Sequence, residues 1–236
     1  MRDGLLKRLR PKDKPAGSSP AIRIRPDAPA VLNVGGQSKT IPIPPHYEGW
    51  QHLLLDIDAR RDADIVCDAR ALQGFDGGRF DAVYCSHNLE HYYRHDIPRV
   101  LAGFLHVLKP GGFAEIRVPD LEAVFRKLAS GEVGLEDELY TAPAGSIAAL
   151  DVIYGWWKEI ESSGRDFYAH KTGFTASTLV AALHRAGFHE VWRAPPFMAY
   201  ELRAVAFKES ATPDQRKLLG IPPGAPARKP SNHCTN

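Results

Sequence analysis

Several side chains stand at spacings that suit a nucleotide-like ligand. Gly35 and Gly36 follow the apolar run 30–34, and glycine lets a backbone come close to a bound molecule. Asp56 lies 20 residues beyond Gly36, a separation at which an acid accepts hydrogen bonds from ribose hydroxyls. Asp68 follows a third apolar run and offers an acceptor for an exocyclic amine such as that of adenine. Ser86 and His87 follow a fourth. His91 comes four residues after His87, one helical turn on, so both can face one pocket, with Tyr92 beside them. Imidazole is the side chain best matched to taking a proton near neutral pH. Glu90 reads as an exposed partner of Arg94. His87, Glu90 and His91 also fall at i, i+3 and i+4. With His at the first position the set carries little charge for a hard cation such as Mg²⁺. A further ligand such as His170 would have to come from far along the chain, and no metal is expected.

The elements that must position these groups follow from the hydropathy pattern. The runs 30–34, 52–57, 63–67, 80–86 and 112–118 are near-continuously apolar or β-branched, as strands covered on both faces are. The spacing predicts a helix over 96–108, with Ile97, Val100, Leu101, Phe104, Leu105 and Leu108 on one stripe and Asp96 as its N-cap. Lys109-Pro110-Gly111-Gly112 ends it. A second helix follows Pro119-Asp120. A third runs over 176–186, capped by Thr175, and strands at 188–193 and 200–208 close the pattern. Strands alternating with helices mean right-handed βαβ units and a mostly parallel sheet. Ligands of such sheets bind beyond the carboxyl ends of the strands, where all the groups above lie. The stretch 37–51 departs from the rule: Pro42, Pro44 and Pro45 leave room for a shortened helix or a loop only.

The 236 residues, 44% hydrophobic and 25% charged, suffice for one substantial core. A net charge of +2 gives no general pull toward nucleic acid. Cys67, Cys85 and Cys234 share no CxxC or Cys/His spacing, so neither a disulfide framework nor a zinc site is indicated. No apolar run approaches the roughly 18 residues of a membrane span, and residues 1–10 lack the apolar stretch of a secretory signal. A soluble cytoplasmic protein is expected. Residues 1–28 read as a basic flexible arm, 29–208 as the folded domain, and 209–236 as a Pro-rich flexible tail.

The runs "LNVGG" (32–36), "LLLDID" (53–58), "DIVCDARAL" (64–72), "FDAVYCSHNLEH" (80–91) and "VLKPGGFAEIRVPD" (107–120) resemble the class I S-adenosylmethionine-dependent methyltransferases, specifically their type-11 branch. The resemblance implies a Rossmann-like α/β fold, a mostly parallel seven-stranded sheet with helices on both faces. It implies S-adenosyl-L-methionine as cofactor. Its methionine portion would lie on Gly35 and Gly36 with Val34, its ribose on Asp56 with Ile57, its adenine on Asp68 and Ala69. Ser86 and His87 would line the path of the methyl group. Relatives often carry "LNxGxG", and Gln37 stands where the second spaced glycine is expected. A dehydrogenase reading of the same fold is weaker, because the loop lacks the full GxGxxG and the prolines deny a pyrophosphate its helix N-terminus.

Residues 131–174 exceed a minimal domain of this kind and read as an inserted substrate lid. Ile147, Leu150, Ile153, Tyr154 and Trp157 suggest one apolar helical face, while Trp156, Tyr168, His170 and Lys171 are the candidates for substrate contact. His87 and His91 are the candidates for catalysis. The expected activity is methylation of an O or N nucleophile on a small-molecule or saccharide acceptor. The alternatives are a non-catalytic binding module of the same fold and methylation of nucleic acid.

Overall fold

The computed structural model describes residues 23–142 and 145–229. Most of the basic arm lies outside them.

Among the described residues nine strands form in chain order: β1 (Ala30–Val34), β2 (Gln51–Asp56), β3 (Ile65–Val66), β4 (Phe80–Ser86), β5 (Leu108–Pro119), β6 (Glu138–Ala142), β7 (Gly145–Ala148), β8 (Glu190–Ala194) and β9 (Glu201–Phe207). Six helices accompany them: α1 (Ile97–Val107), α2 (Leu121–Ala129), α3 (Ala149–Tyr154), α4 (Trp157–Ser163), α5 (Ala176–Arg185) and α6 (Pro213–Leu218). Seven strands make one sheet in the order β3-β2-β1-β4-β5-β9-β8. Pairs among β1 to β5 are parallel, and β9 is antiparallel to both β5 and β8. This is the expected α/β fold. The order reverses at β1 and β4, so the crevice that a switch in strand order opens lies beyond Val34 and Ser86.

The buried faces explain the sheet. All five residues of β1 are buried, with Leu32 and Val34 toward one face and Val31 toward the other. The first face is covered by α1 and α5, through Leu101, Phe104, Leu179 and Leu183. Each such side chain fully withdrawn from water contributes about 1.5–3 kcal/mol. The second face is covered by the proline-rich loop after β1 and by residues near α6, through Tyr47, Leu219 and Ile221.

The loop between β1 and β2 holds only one short 3₁₀ turn, Pro45–Tyr47, as its prolines require. It is anchored by buried charge instead of a helix. Tyr47 Oη donates to Glu115 Oε2 at 2.8 Å, His46 Nε2 lies 2.8 Å from the same oxygen, and Arg203 Nε donates to Oε1 at 2.6 Å. Glu115 has no exposed surface, and these partners hold its carboxyl below the usual range against the opposing effect of burial.

Four expectations need correction. The segment 209–236 is not a loose tail over its described part: α6 forms, Leu219 is 1% exposed, and Ala227 N–H donates to the carbonyl of Val191 at 2.7 Å. Thr212 caps α6, and the two apolar side chains just past it, Leu219 and Ile221, are buried and anchor the segment. Asp96 does not cap α1; its carboxylate turns to Arg70 Nη1 at 3.1 Å. The apolar face proposed over 147–157 is interrupted, because Gly155 at φ 97° ends α3, leaving Tyr154 and Trp157 exposed while Ala149 and Val152 pack on Val124. Glu90 is not exposed but 1% accessible. Among the described residues no helix is long and apolar enough to cross a membrane.

Candidate functional site

The carboxyl ends of β1, β2, β3 and β4 meet around one cavity of about 350 Å³. Gly35, Asp56, Ile57, Asp68, His87, His91, Tyr92 and Tyr168 line it, as the sequence suggested. Val34 and Ala69 are buried in the core beneath. Gly36, Ser86, Trp156 and His170 do not line it.

The first turn is set by backbone geometry. Gly35 takes φ 72° and donates its N–H to the carbonyl of Leu55 at 2.8 Å. A methyl at this position would lie 2.1 Å from Asn88 Nδ2, so only glycine lets the two strand-end loops touch. Gln37 also takes a left-handed conformation, φ 60°, and its N–H donates to Asp56 Oδ2 at 3.2 Å. The chain thus keeps a glycine-like backbone at a residue with a side chain, a strained conformation that marks functional loops more often than others.

Asp56 is buried and its second oxygen accepts from Asp58 N–H at 2.8 Å. Each carboxylate oxygen can accept more than one bond, so Asp56 retains capacity toward the cavity. Asp68 caps the turn Ala69–Gly74 and is gripped by Arg70 through Nε at 2.9 Å and Nη2 at 2.6 Å. Arg70 itself lines the cavity and was not singled out in the sequence; its place directly after Asp68-Ala69 was the available signal.

His87 adopts φ 47° where β4 ends, and its N–H donates to the carbonyl of Arg117 at 2.9 Å. The kink swings the turn Leu89–His91 over the strand ends, and fully buried Leu89 fixes it there. His87 Nε2 sits 3.1 Å from Glu201 Oε2, which Arg117 also holds. Burial disfavours charge on the ring, but the carboxylates of Glu201 and Glu90 outweigh it and push its pKa up to about 9. His87 is therefore an imidazolium near pH 7, a hydrogen-bond donor with no lone pair to offer a proton. His91 turns Nδ1 to the carbonyl of Ala169 at 3.1 Å. A carbonyl only accepts, so Nδ1 carries the hydrogen and Nε2 keeps its lone pair.

The far wall comes from the inserted segment. Asp166, Phe167, Tyr168 and Lys171 line the cavity opposite Tyr92 and Tyr93. Arg61, just past β2, donates to Tyr168 Oη at 2.5 Å. Asp58 is 1% exposed and tied to Arg60 at 2.6 Å and to Arg165 at 3.3 Å. The hydrogen bond from Arg60, aided by Arg165, holds its carboxyl well below the usual range despite its burial.

Residues 51–116 match the family model described as the methyltransferase domain. Over that stretch the chain is similar to a methyltransferase domain. Its fold is shared with the PH0226 protein of Pyrococcus horikoshii OT3, at 13% identity over 76% of this chain and 83% of that one, TM-score 0.50. A S-adenosylmethionine-dependent methyltransferase from Archaeoglobus fulgidus aligns at 14% identity over 77% and 87% of the two chains, TM-score 0.48. The Burkholderia thailandensis 1,6-didemethyltoxoflavin-N1-methyltransferase, solved with 1,6-didemethyltoxoflavin and S-adenosylhomocysteine, aligns at 18% over 78% and 72%, TM-score 0.42. No curated protein sequence matches the chain.

The residues present fit S-adenosylmethionine, the cofactor that the sequence resemblance implies. Gly35 brings backbone to the cavity wall, Asp56 faces the cavity with acceptor capacity to spare, and Asn88, which also lines it, has a buried Oδ1 without a partner among the described residues. Asp68 and Asp96 are held by Arg70, which leaves Asp56 as a lining carboxylate whose charge suits a cationic sulfonium.

Proposed function

We propose that the protein methylates an O or N nucleophile of a small-molecule or saccharide acceptor. One observation carries the reading: a single cavity joins Gly35, Asp56 and Asp68 to His87, His91 and the aromatic wall of Tyr92, Phe167 and Tyr168. Gly35, framed by Val34 and Gly36, receives the methionine end of the cofactor. Asp56 takes the ribose hydroxyls. Exposed Ile57, with Asp68, takes the adenine, over the buried Ala69. When bound, the cofactor supplies a methyl group made electrophilic by its sulfonium.

The chain's own contribution is alignment. Residues 131–174 close over the acceptor, and their aromatic side chains suit a planar molecule or the apolar face of a sugar. These residues would hold the acceptor's lone pair in line with that methyl group. His87, held cationic with both ring nitrogens turned to Glu201 and Glu90, sets positive charge beside the acceptor. His91 Nε2 is the lone pair placed to receive the acceptor's proton. Calorimetric titration with S-adenosylhomocysteine tests the cofactor half, and transfer of labelled methyl to a panel of phenols, amines and sugars tests the other. Absence of binding at high micromolar ligand would remove the enzymatic reading.

A further inference from the structure

Glu90 is a carboxylate in the wrong place for its charge. It is 1% exposed, and among the described residues neither of its oxygens accepts a hydrogen bond. Its nearest basic atoms are His87 Nδ1 at 3.5 Å and His170 Nε2 at 3.9 Å. Burying an ionised carboxylate is costly; the His87 imidazolium offsets part of that cost and holds the Glu90 carboxyl below its usual range, yet among the described residues neither oxygen receives a hydrogen bond.

The neighbours are arranged for a further cation. Glu90, His91 and His170 each place one donor atom within 4.8 Å of the others. His91 gives its Nδ1 hydrogen to Ala169 and His170 gives its own to the carbonyl of Val152 at 2.8 Å. Both rings are thereby fixed in the tautomer that leaves Nε2 as a lone pair. A backbone acceptor on the far nitrogen is the usual support of a metal-bound histidine. The backbone also forces the distant ligand into place. Lys171 and Thr172 donate their N–H groups to the carbonyl of Glu90 at 2.9 and 3.1 Å. Gly155 lets residues 168–170 pack close, since a methyl there would lie 2.3 Å from the carbonyl oxygen of Tyr168.

We propose that Glu90, His91 and His170 bind a divalent transition-metal ion. Two imidazoles and one carboxylate suit zinc, manganese or ferrous iron better than magnesium or calcium, whose sites are built from oxygen. Ligands about 2.1 Å from a tetrahedral ion lie roughly 3.4 Å apart, so the set contracts on binding. The ion's presence stands apart from the methyl-transfer reading, while its role rests on it. His91 lines the acceptor side of the cavity. With Nε2 spent on the ion, the acceptor's proton is no longer taken by His91. An acceptor hydroxyl on an open coordination position becomes acidic instead and releases its proton to water.

The test uses the full chain, stripped with a chelator and dialysed. Zinc chloride and manganese chloride are titrated separately by calorimetry into the parent, His170→Ala and Glu90→Gln, and each protein is also titrated with S-adenosylhomocysteine. The expected result is one saturable equivalent of at least one ion in the parent. His170→Ala and Glu90→Gln should each weaken it 10-fold or more, with S-adenosylhomocysteine affinity held within about 3-fold. His170 lies outside the cavity lining, so that variant keeps the test decisive even if Glu90→Gln folds poorly. No saturable binding of either ion to the parent, or binding that His170→Ala leaves unchanged, overturns the proposal. Ion binding without S-adenosylhomocysteine binding would leave the metal site standing and sink the methyl-transfer reading.

Discussion

Gly35→Ala probes the turn on which the cofactor loop depends. At φ 72° an L-residue carries a penalty of roughly 1–2 kcal/mol relative to glycine. The added methyl would also lie 2.1 Å from Asn88 Nδ2, 2.4 Å from Cγ and 2.9 Å from Cβ. Rotation about χ1 clears the first two contacts but cannot move Cβ, so the backbone must shift; overpacking of this kind costs about 1–3 kcal/mol. A combined loss of about 3 kcal/mol lowers Tm by roughly 6–12 °C for a chain of this size. The displaced loop should also weaken S-adenosylhomocysteine binding by about tenfold or more, since each factor of ten needs only about 1.4 kcal/mol. Asn88→Ala separates the two causes. It removes the closest contacts and loses little itself, because Asn88 Oδ1 has no partner among the described residues. The double variant Gly35→Ala/Asn88→Ala should regain about a third or more of the lost Tm and keep the conformational penalty. Differential scanning fluorimetry and calorimetric titration of all four proteins complete the cycle. A Gly35→Ala melting within 2 °C of the parent would refute both causes, and a double variant melting no higher than Gly35→Ala would refute the steric one.

Other outcomes follow from the same geometry. Asp56→Ala removes the carboxylate that faces the cavity and should weaken S-adenosylhomocysteine by about 1.5–3 kcal/mol, measured by calorimetry; unchanged affinity would place the ribose elsewhere. Glu115→Gln leaves Arg203 buried beside a neutral amide and should lower stability by about 3 kcal/mol in chemical denaturation, whereas a neutral result would mean the anchor of the 43–50 loop is apolar. Asp58 has a folded pKa depressed by Arg60, so its contribution is present above the unfolded carboxylate pKa of about 4 and fades as pH falls below that toward the lower folded value. Asp58→Asn should accordingly be the less stable protein at pH 6, with the gap narrowing between pH 4 and pH 2.5 in thermal melts; a constant gap would refute the linkage. Tyr168→Phe deletes the bond from Arg61 and should raise acceptor KM several-fold while leaving S-adenosylhomocysteine affinity unchanged.

How much of this was legible along the chain depends on how far each partner lies. The parallel strands were readable because burial on both faces makes them continuously apolar, and Gly35, Asp56, Asp68 and His87 were readable because strand ends in such a sheet must converge. Boundaries failed where local signals conflict with pairing. Lys109-Pro110-Gly111-Gly112 looks like a helix stop and a loop, yet β5 begins at Leu108 because Leu108 pairs with Phe80. Asp96 has the position of an N-cap, and only the fold reveals that Arg70 competes for it. The tail after residue 208 has a loop-like composition, and nothing local announces that Leu219 and Ile221 will find a hydrophobic face.

Glu90 shows the limit most sharply. Beside Arg94 in sequence it reads as half of a surface ion pair, and its own neighbourhood supplies no reason for burial. Burial is imposed by Leu89, which pulls the turn into the core, and by the segment carrying His170, which caps it through two backbone hydrogen bonds. The other strand-end acids have their charge met at close sequence range, Asp58 by Arg60 and Asp68 by Arg70. Asp56 keeps backbone N–H donors and an opening toward the cavity. Glu90 alone of these is buried with no hydrogen bond to either oxygen among the described residues. The fold thus meets two strand-end acids with arginines two residues on, leaves Asp56 open toward the cavity, and sets Glu90 among three imidazoles, two of them with free Nε2 atoms, which is the arrangement the proposed ion would use.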